Sequence, residues 1–535
     1  MTRSLPNLDS LSLVEQVAQM VVVRASGHLF DHQIQYPEWE PPADKLRFWL
    51  EQLGVGGVIL LGGSAGEIAL RSQQLQNWAK IPLLVAADIE EGVGQRFAGA
   101  TWLPPPMAIA ALGRKAPGIA EDYAAWMGAT TAQEALAIGI NWVLAPVVDV
   151  NNNSNNPVIN VRAFGETPSE VSHLAIAFIQ GAKAYPVLTT AKHFPGHGDT
   201  AIDSHLELPV LPHSLDRLRE VELPPFKAAI TAGVDAVMSA HLQIPCWDAE
   251  QPATLSQPIL TQQLRSYLGF AGLIVTDALV MGAITNRYNP NVAAVLAVEA
   301  GADLLLMPLD PEGAIRALCE AVNSGRISPA RIRESVERIW LAKLKVCSPL
   351  MATVDTIAIT SQLSPPSTTA KVAQILQTTQ IVRGSVPLST ATNDKLKRQS
   401  GRSRNLIVVD NLLATDFLDP HSPAIVLPAK QGYITQLSDC HTPPAEPNPG
   451  LAQSTLLQLF IRGNPFRGSA GLTHGSQNLL NRLLRANDLQ AVIIYGSPYV
   501  LEQFLPVLPP ELPCIFTYGQ MPLAQTCALR KLFDP

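Results

Sequence analysis

The sequence predicts an α/β fold: a (β/α)8 TIM-like barrel, then a linker, then a smaller α/β/α sandwich domain. Three observations carry that expectation. Eight short β-branched or Leu-rich runs alternate with longer segments of helical composition through the first 345 residues. Residues able to do chemistry fall just after five of those runs, as the carboxyl-terminal rim of a barrel requires. Composition then shifts to Ser, Thr, Pro and Gln before a second series of strands begins.

The eight runs are residues 20–23, 57–60, 83–87, 142–144, 188–191, 236–239, 273–275 and 304–307. Between them lie helix candidates at 119–137, 168–184, 224–232, 258–268 and 292–300. Asp88 follows the third run, Asp149 the fourth, Lys192 and His193 the fifth, His241 the sixth and Asp277 the seventh. A doubly wound open sheet also alternates strands and helices, but it gathers ligand groups at one switch point. Polar ends on five strands favour a closed barrel. The barrel is expected over residues 1–347, ending in the helical segment 331–345. A linker with one helix at 370–383 follows over 348–404. The last domain, 405–535, has strand candidates at 406–409, 424–427, 456–461, 491–495 and 514–517, a helix at 477–486 and a Pro-rich loop at 443–449. It has no Gly-x-Gly element after its first strand, so nothing there suggests a nucleotide.

Composition narrows the partners. With 47% hydrophobic and 16% charged residues and a net charge of −7, the chain is that of an ordinary globular protein. No Lys/Arg stripe suits nucleic acid or an anionic membrane, so a small neutral or polar ligand is expected. The first residues lack a basic-then-apolar leader, and no apolar run reaches the ~18 residues a membrane helix needs. A cytoplasmic location is therefore expected. Six cysteines, at 246, 319, 347, 440, 514 and 527, show no pairing pattern and read as free thiols. Nothing sets an oligomeric state, and a monomer is the simplest expectation.

The densest chemistry lies in Lys192-His193-Phe194-Pro195-Gly196-His197-Gly198-Asp199-Thr200-Ala201-Ile202-Asp203-Ser204-His205. Pro and Gly forbid a regular helix, so this is a strand feeding a polar loop, whose glycines are expected to lend mobility. Asp203 and His205, two residues apart, allow the carboxylate to fix the ring's tautomer and favour its protonated form, which makes a general acid; a solvated turn is the plain alternative. His193, His197, Asp199 and His205 also have the chemistry of metal ligands, although the H-x3-H spacing suits zinc on a helix and this segment is not one. Asp277 ends a four-residue apolar run and is either a reactive carboxylate or a helix N-cap. Asp88 could hold two hydroxyls or cap a helix. Lys192, His193 and Arg162 offer donors to a polar ligand or join surface salt bridges.

These residues resemble a known family. Residues 192–200 with Asp203-Ser204-His205 are similar to the signature of family 3 glycoside hydrolases, in their β-N-acetylglucosaminidase branch. Asn156-Pro157-Val158-Ile159 with Arg162 and Phe164-Gly165, Met238-Ser239-Ala240-His241, and Val275-Thr276-Asp277-Ala278-Leu279 add to the match. The resemblance implies Asp277 as nucleophile, Asp203 and His205 as the acid/base dyad, and Asp88, Arg96, Arg162, Lys192, His193 and His241 as the sugar-binding group. It also implies a retaining exo-β-N-acetylglucosaminidase acting on peptidoglycan-derived fragments, without metal or other cofactor. Charge adds a separate expectation: a histidine acid/base, unlike a carboxylate, need not repel an entering anion, so phosphate can stand in for water. Family 3 β-glucosidases or xylosidases and a metal-dependent hydrolase are the alternatives. Two positions depart from the pattern: Asp88-Ile89-Glu90-Glu91-Gly92 replaces Asp-Gln-Glu-Gly-Gly, and Asn160 stands where Gly is common.

Overall fold

A computed structural model describes residues 5–116, 118–347, 359, 361–388, 403–439, 441–442, 454–463 and 473–534. The eight expected strands form one parallel barrel: β1 (Val21–Ser26), β2 (Gly57–Leu61), β3 (Leu84–Ala87), β4 (Trp142–Val143), β5 (Leu188–Phe194), β6 (Ala236–Ser239), β7 (Leu273–Thr276) and β8 (Leu305–Leu306). The order runs β7-β6-β5-β4-β3-β2-β1-β8. A Val275–Leu304 bridge joins the two ends, with Thr276 N–H donating to the Leu304 carbonyl at 3.0 Å. Strands that are buried on both faces need apolar residues at every position, which is why they read as unbroken runs. β5 extends three residues beyond its expected end, so Lys192 and His193 lie within the strand. A register shift against β6 at these residues interrupts the regular alternation there.

The helices follow their sequence signals closely. Ile119–Ala137 has its expected bounds, and Pro168–Ala182 starts with Pro at its first position and Thr167 capping the Glu170 N–H. Opposite the rim, Asp303 is fully buried and closes the barrel between β7 and β8. It accepts Arg265 at 2.7 Å, Arg338 at 3.0 Å, the Ser335 hydroxyl at 2.7 Å and the Ile274 N–H at 2.9 Å.

Among the described residues the second domain has six strands: β9 (Ile381–Arg383), β10 (Ser403–Val408), β11 (Tyr433–Ser438), β12 (Ser454–Ile461), β13 (Leu489–Gly496) and β14 (Cys514–Thr517), in the order β11-β10-β12-β13-β14-β9. Two expectations fail. Residues 424–427 lie in a helix, Pro423–Lys430, because a short apolar run after Ser-Pro suits a first helical turn as well as a strand. The linker helix is Pro366–Thr379, and the residues after it form β9, antiparallel to β14. Residues 348–358, 360 and 389–402 of the linker and the loop 443–449 lie outside the described residues. The described cysteines, 246, 319, 347, 514 and 527, are free thiols, and Cys440 lies outside the described set. Among described residues no helix is long and apolar enough to cross a membrane.

Asp303→Asn should destabilise the chain by ~3 kcal/mol, because it leaves Arg265, Arg338 and Arg331, the last at 3.5 Å, without their shared carboxylate. A urea titration checks this, and an unchanged midpoint would deny Asp303 its closing role.

Candidate functional site

The carboxyl-terminal rim gathers charge from β3, β4, β5 and β7. Glu90, three residues past β3, is almost fully buried and takes Arg162 with both oxygens, at 2.7 Å each. Its Oε1 also receives Lys192 Nζ at 2.6 Å, and Lys192 reaches Asp88 Oδ1 at 2.7 Å. Burial alone would push the Glu90 carboxyl up, but Arg162 and Lys192 hold it well below the usual range. Burial likewise opposes the Lys192 charge, and Asp88 and Glu90 outweigh it, so the ammonium persists. Arg96 is exposed and donates to the Asp88 carbonyl at 3.0 Å. Asp88 is the more open of the two carboxylates on Lys192, its side chain 36% exposed. It caps no helix, since Gly92 precedes the next turn.

Asp149, fully buried after β4, fixes β5 and its loop. It accepts the backbone N–H of His193 at 3.1 Å and of His197 at 2.7 Å, and the His193 Nδ1 at 2.8 Å. Nδ1 of His193 thus carries the proton in the neutral ring, and Nε2 has no protein hydrogen bond among described residues. Asn160 sits at φ 47°, a left-handed conformation that Asn tolerates better than most side chains, which explains how it replaces a common Gly.

Asp277 follows β7 directly and accepts the Ala278 N–H at 2.7 Å. The next helix, Gly282–Thr285, is preceded by Met281, so Asp277 is not its cap. Burial alone would raise the Asp277 carboxyl, but His193, His241 and His205, with the Ala278 N–H, bring it down to about 2. It is therefore ionised at neutral pH. His241 is fully buried with both nitrogens engaged: Nδ1 meets the Thr254 hydroxyl at 2.8 Å and Nε2 the Ala278 carbonyl at 3.0 Å. It thus supports the residue beside Asp277, with both ring nitrogens already engaged.

The loop after β5 is docked rather than loose. Gly198 packs so closely on the Val150 carbonyl that a Cβ has no room, so this glycine serves close contact rather than the expected mobility. His197 meets the hydroxyls of Thr200 at 2.8 Å and Ser204 at 2.9 Å. The Asp203 side chain is fully buried and holds His205 Nδ1 at 2.8 Å, while the ring keeps 18% exposure. The loop's far end hangs on the segment after β7, through Gly282 N–H to the His205 carbonyl at 2.9 Å and Asn286 to the Leu206 carbonyl at 3.0 Å. The residues with metal-ligand chemistry are thus divided among separate tasks, Asp199 pairing with His213 at 3.0 Å. Among described residues no group of three His, Cys, Asp or Glu is placed to hold a metal.

Glu90 and Glu91 were not singled out from sequence, while Asp149 was marked only as a strand-end carboxylate and His197 only for its metal-ligand chemistry. A carboxylate just past a strand was a usable signal for Asp149, and proximity to Asp88 for Glu90. Glu91 points elsewhere: it takes Arg462 of the second domain at 2.6 Å.

A closed β/α barrel whose rim joins buried ion pairs to a carboxylate ringed by histidines, followed by a second α/β domain, defines a two-domain barrel with a polar-ligand site. The family model for the glycosyl hydrolase family 3 N-terminal domain matches residues 12–342, and that for the bacterial glycosyl hydrolase family 3 C-terminal domain matches 396–534. The chain belongs to glycosyl hydrolase family 3. It is 36% identical over 349 residues to Beta-hexosaminidase A of Pseudoalteromonas piscicida, covering 59% of this chain and 57% of that one. It is 38% identical over 270 residues to Beta-hexosaminidase of Tolumonas auensis, covering 49% and 78%. A Cellulomonas fimi protein named Beta-N-acetylglucosaminidase/beta-glucosidase is 32% identical over 301 residues, covering 54% and 52%. The matched region is little more than half the length of the first and third of these relatives. The solved family 3 β-N-acetylglucosaminidase of Paenibacillus sp. str. FPU-7 superposes with a TM-score of 0.79 at 29% identity, over 97% of this chain and 96% of that one.

Burial holds the His197 ring down at about 4, against 6.5 for a free ring, so between these values the unfolded chain binds a proton that the folded one refuses. Its contribution is therefore intact above 6.5 and declines as pH falls toward 4. Urea midpoints at pH 7 and pH 5 should differ more in the wild type than in His197→Gln; equal differences would rule this out.

Proposed function

We propose that the chain is a retaining, exo-acting β-N-acetylhexosaminidase that removes terminal GlcNAc. The observation that carries the reading is Asp277, held ionised by surrounding histidines, with the Asp203–His205 pair on a loop docked just beyond β7. Relatives named β-hexosaminidase at 36% and 38% identity support the N-acetyl preference. In this reading Asp88, Lys192, Arg162, Arg96 and His193 receive the sugar's hydroxyls. An Asp277 oxygen attacks the anomeric carbon while His205, protonated on Nε2, gives that proton to the departing oxygen. The C–O bond to the leaving group breaks as the ester to Asp277 forms. Neutral His205 then takes a proton from water, whose oxygen displaces Asp277 and restores the β configuration. Asp203 holds Nδ1–H, so that Nε2 is the nitrogen that exchanges protons.

The natural substrate we propose is a GlcNAc-terminated fragment of peptidoglycan, recycled in the cytoplasm; the motif resemblance supports this. The runner-up reading is a β-glucosidase, which the double name of the Cellulomonas relative favours. Nitrophenyl β-GlcNAc should be turned over much faster than the β-glucoside, and equal rates would move the assignment to the runner-up. Product analysis with and without phosphate separates hydrolysis from phosphorolysis, since an imidazole acid repels an entering anion less than a carboxylate does. Full activity after chelation would remove the metal-dependent alternative.

Asp277→Ala should lower kcat by ~10^4-fold or more on every substrate, whereas His205→Ala should spare aryl glycosides with good leaving groups relative to a disaccharide. Steady-state kinetics on both substrate types check the ranking, and the opposite ranking would reverse the assigned roles.

A further inference from the structure

Two adjacent residues of the second domain press on the two loops that frame the Glu90 ion pairs. Arg462, just past β12, gives Nη2 to Glu91 Oε1 at 2.6 Å and Nη1 to Glu91 Oε2 at 3.2 Å. Glu91 is 1% exposed, and its Oε2 also receives Trp102 Nε1 at 3.1 Å. Its backbone is tied on both sides, with its N–H on Gln95 at 2.9 Å and its carbonyl accepting Leu103 N–H at 2.7 Å. Gly463, the next residue, lies against the other loop: a Cβ on it would stand 2.8 Å from Asn160 Cβ and 3.0 Å from the Pro157 carbonyl oxygen.

Glu91 directly follows Glu90, whose carboxylate fixes Arg162 and Lys192, while Asn160 and Pro157 lie in the loop that carries Arg162. The second domain therefore contacts both sides of the Glu90–Arg162 pair without entering it. Glu91 also occupies a position where the resembling pattern has glycine, so its carboxylate is an addition of this chain whose charge is met across the domain boundary. The relative from Tolumonas, 78% of which is covered by a 270-residue match, is about the size of the barrel alone. A barrel of this kind need not have such a contact in order to exist.

We infer that Arg462 is a positioning residue for the sugar site: by holding Glu91 it sets where Asp88 and Glu90 stand relative to Lys192 and Arg162, and so sets sugar affinity. Without its guanidinium, a buried carboxylate loses its cation and the loop must move to let water reach it. Small displacements of a positioning loop are costly in binding and rate. Arg462 acts on binding in this scheme, since Asp277 and the Asp203–His205 pair are held by other elements.

The inference rests on the proposed function only in taking a sugar as the ligand at this corner. The experiment uses the full chain and compares wild type, Arg462→Met, Glu91→Gln and the double variant. It reads kcat and KM on whichever nitrophenyl glycoside the wild type prefers, and the Ki of the free sugar released. Each single variant should raise KM and Ki about tenfold with kcat within about threefold, and the double variant should be no worse than the weaker single. Arg462→Lys should recover part of the affinity. Lys115→Met, which removes a 2.6 Å contact between a barrel helix and the Thr378 carbonyl and touches neither Glu91 nor Arg462, should leave Ki unchanged. A wild-type Ki in Arg462→Met, additive effects in the double variant, or an equal loss in Lys115→Met would overturn the inference. If Arg462→Met does not fold, the double variant, which leaves no buried charge unpaired, decides: a wild-type Ki in it overturns the inference and a raised Ki supports it. A wild type that prefers the β-glucoside would count against the proposed function and leave this test intact.

Discussion

The rim is organised around one buried carboxylate. Glu90 is the acceptor that Arg162 and Lys192 share, and its charge offsets part of the cost of burying them. Because the three groups come from the loops after β3 and β4 and from β5, satisfying their charges fixes three neighbouring parts of the barrel against one another. Asp88 is left as the more open carboxylate on the same ammonium. Asp149 repeats the device one layer along, gathering two backbone N–H groups and one imidazole. Charges compensated in this way are preorganised: donors for a polar ligand are in place before it arrives.

Across the rim the balance differs. Asp277 has no lysine or arginine beside it among its main influences; histidines and one N–H stabilise its charge. A carboxylate stabilised by a permanent cation would be a poorer nucleophile than one facing imidazoles that can gain or lose protons. The loop after β5 joins the two halves. One end is fixed by Asp149 and the other rests on the segment after Asp277, so the Asp203–His205 pair is carried between the polar corner and Asp277.

Much of this was legible in the sequence, and the failures have physical causes. The barrel strands are short apolar runs buried on both faces, and their ends are marked by charged residues, so both their number and their order could be read. In the second domain the run at 424–427 was too short to have a period and became a helix. The edge strand Tyr433–Ser438 is half-exposed and polar, and was missed. Candidate site residues carried by a compact motif, such as Asp203, His205 and Asp277, were visible because their neighbours are local. Glu91 and Arg462 were not, because their pairing spans 371 positions and only folding brings them together. His241 was placed by motif among ligand contacts, and only folding shows that its nitrogens meet Thr254 and the Ala278 carbonyl.

The central claim is that Asp277 forms a bond to the sugar. A slow-turnover fluorinated GlcNAc donor, incubated with the full chain and followed by proteolysis and mass spectrometry, tests it directly. The account requires the sugar's mass on the peptide that contains Asp277, and its loss in Asp277→Ala. Label on another carboxylate, or complete turnover of the donor with no covalent adduct at any time point, would contradict it.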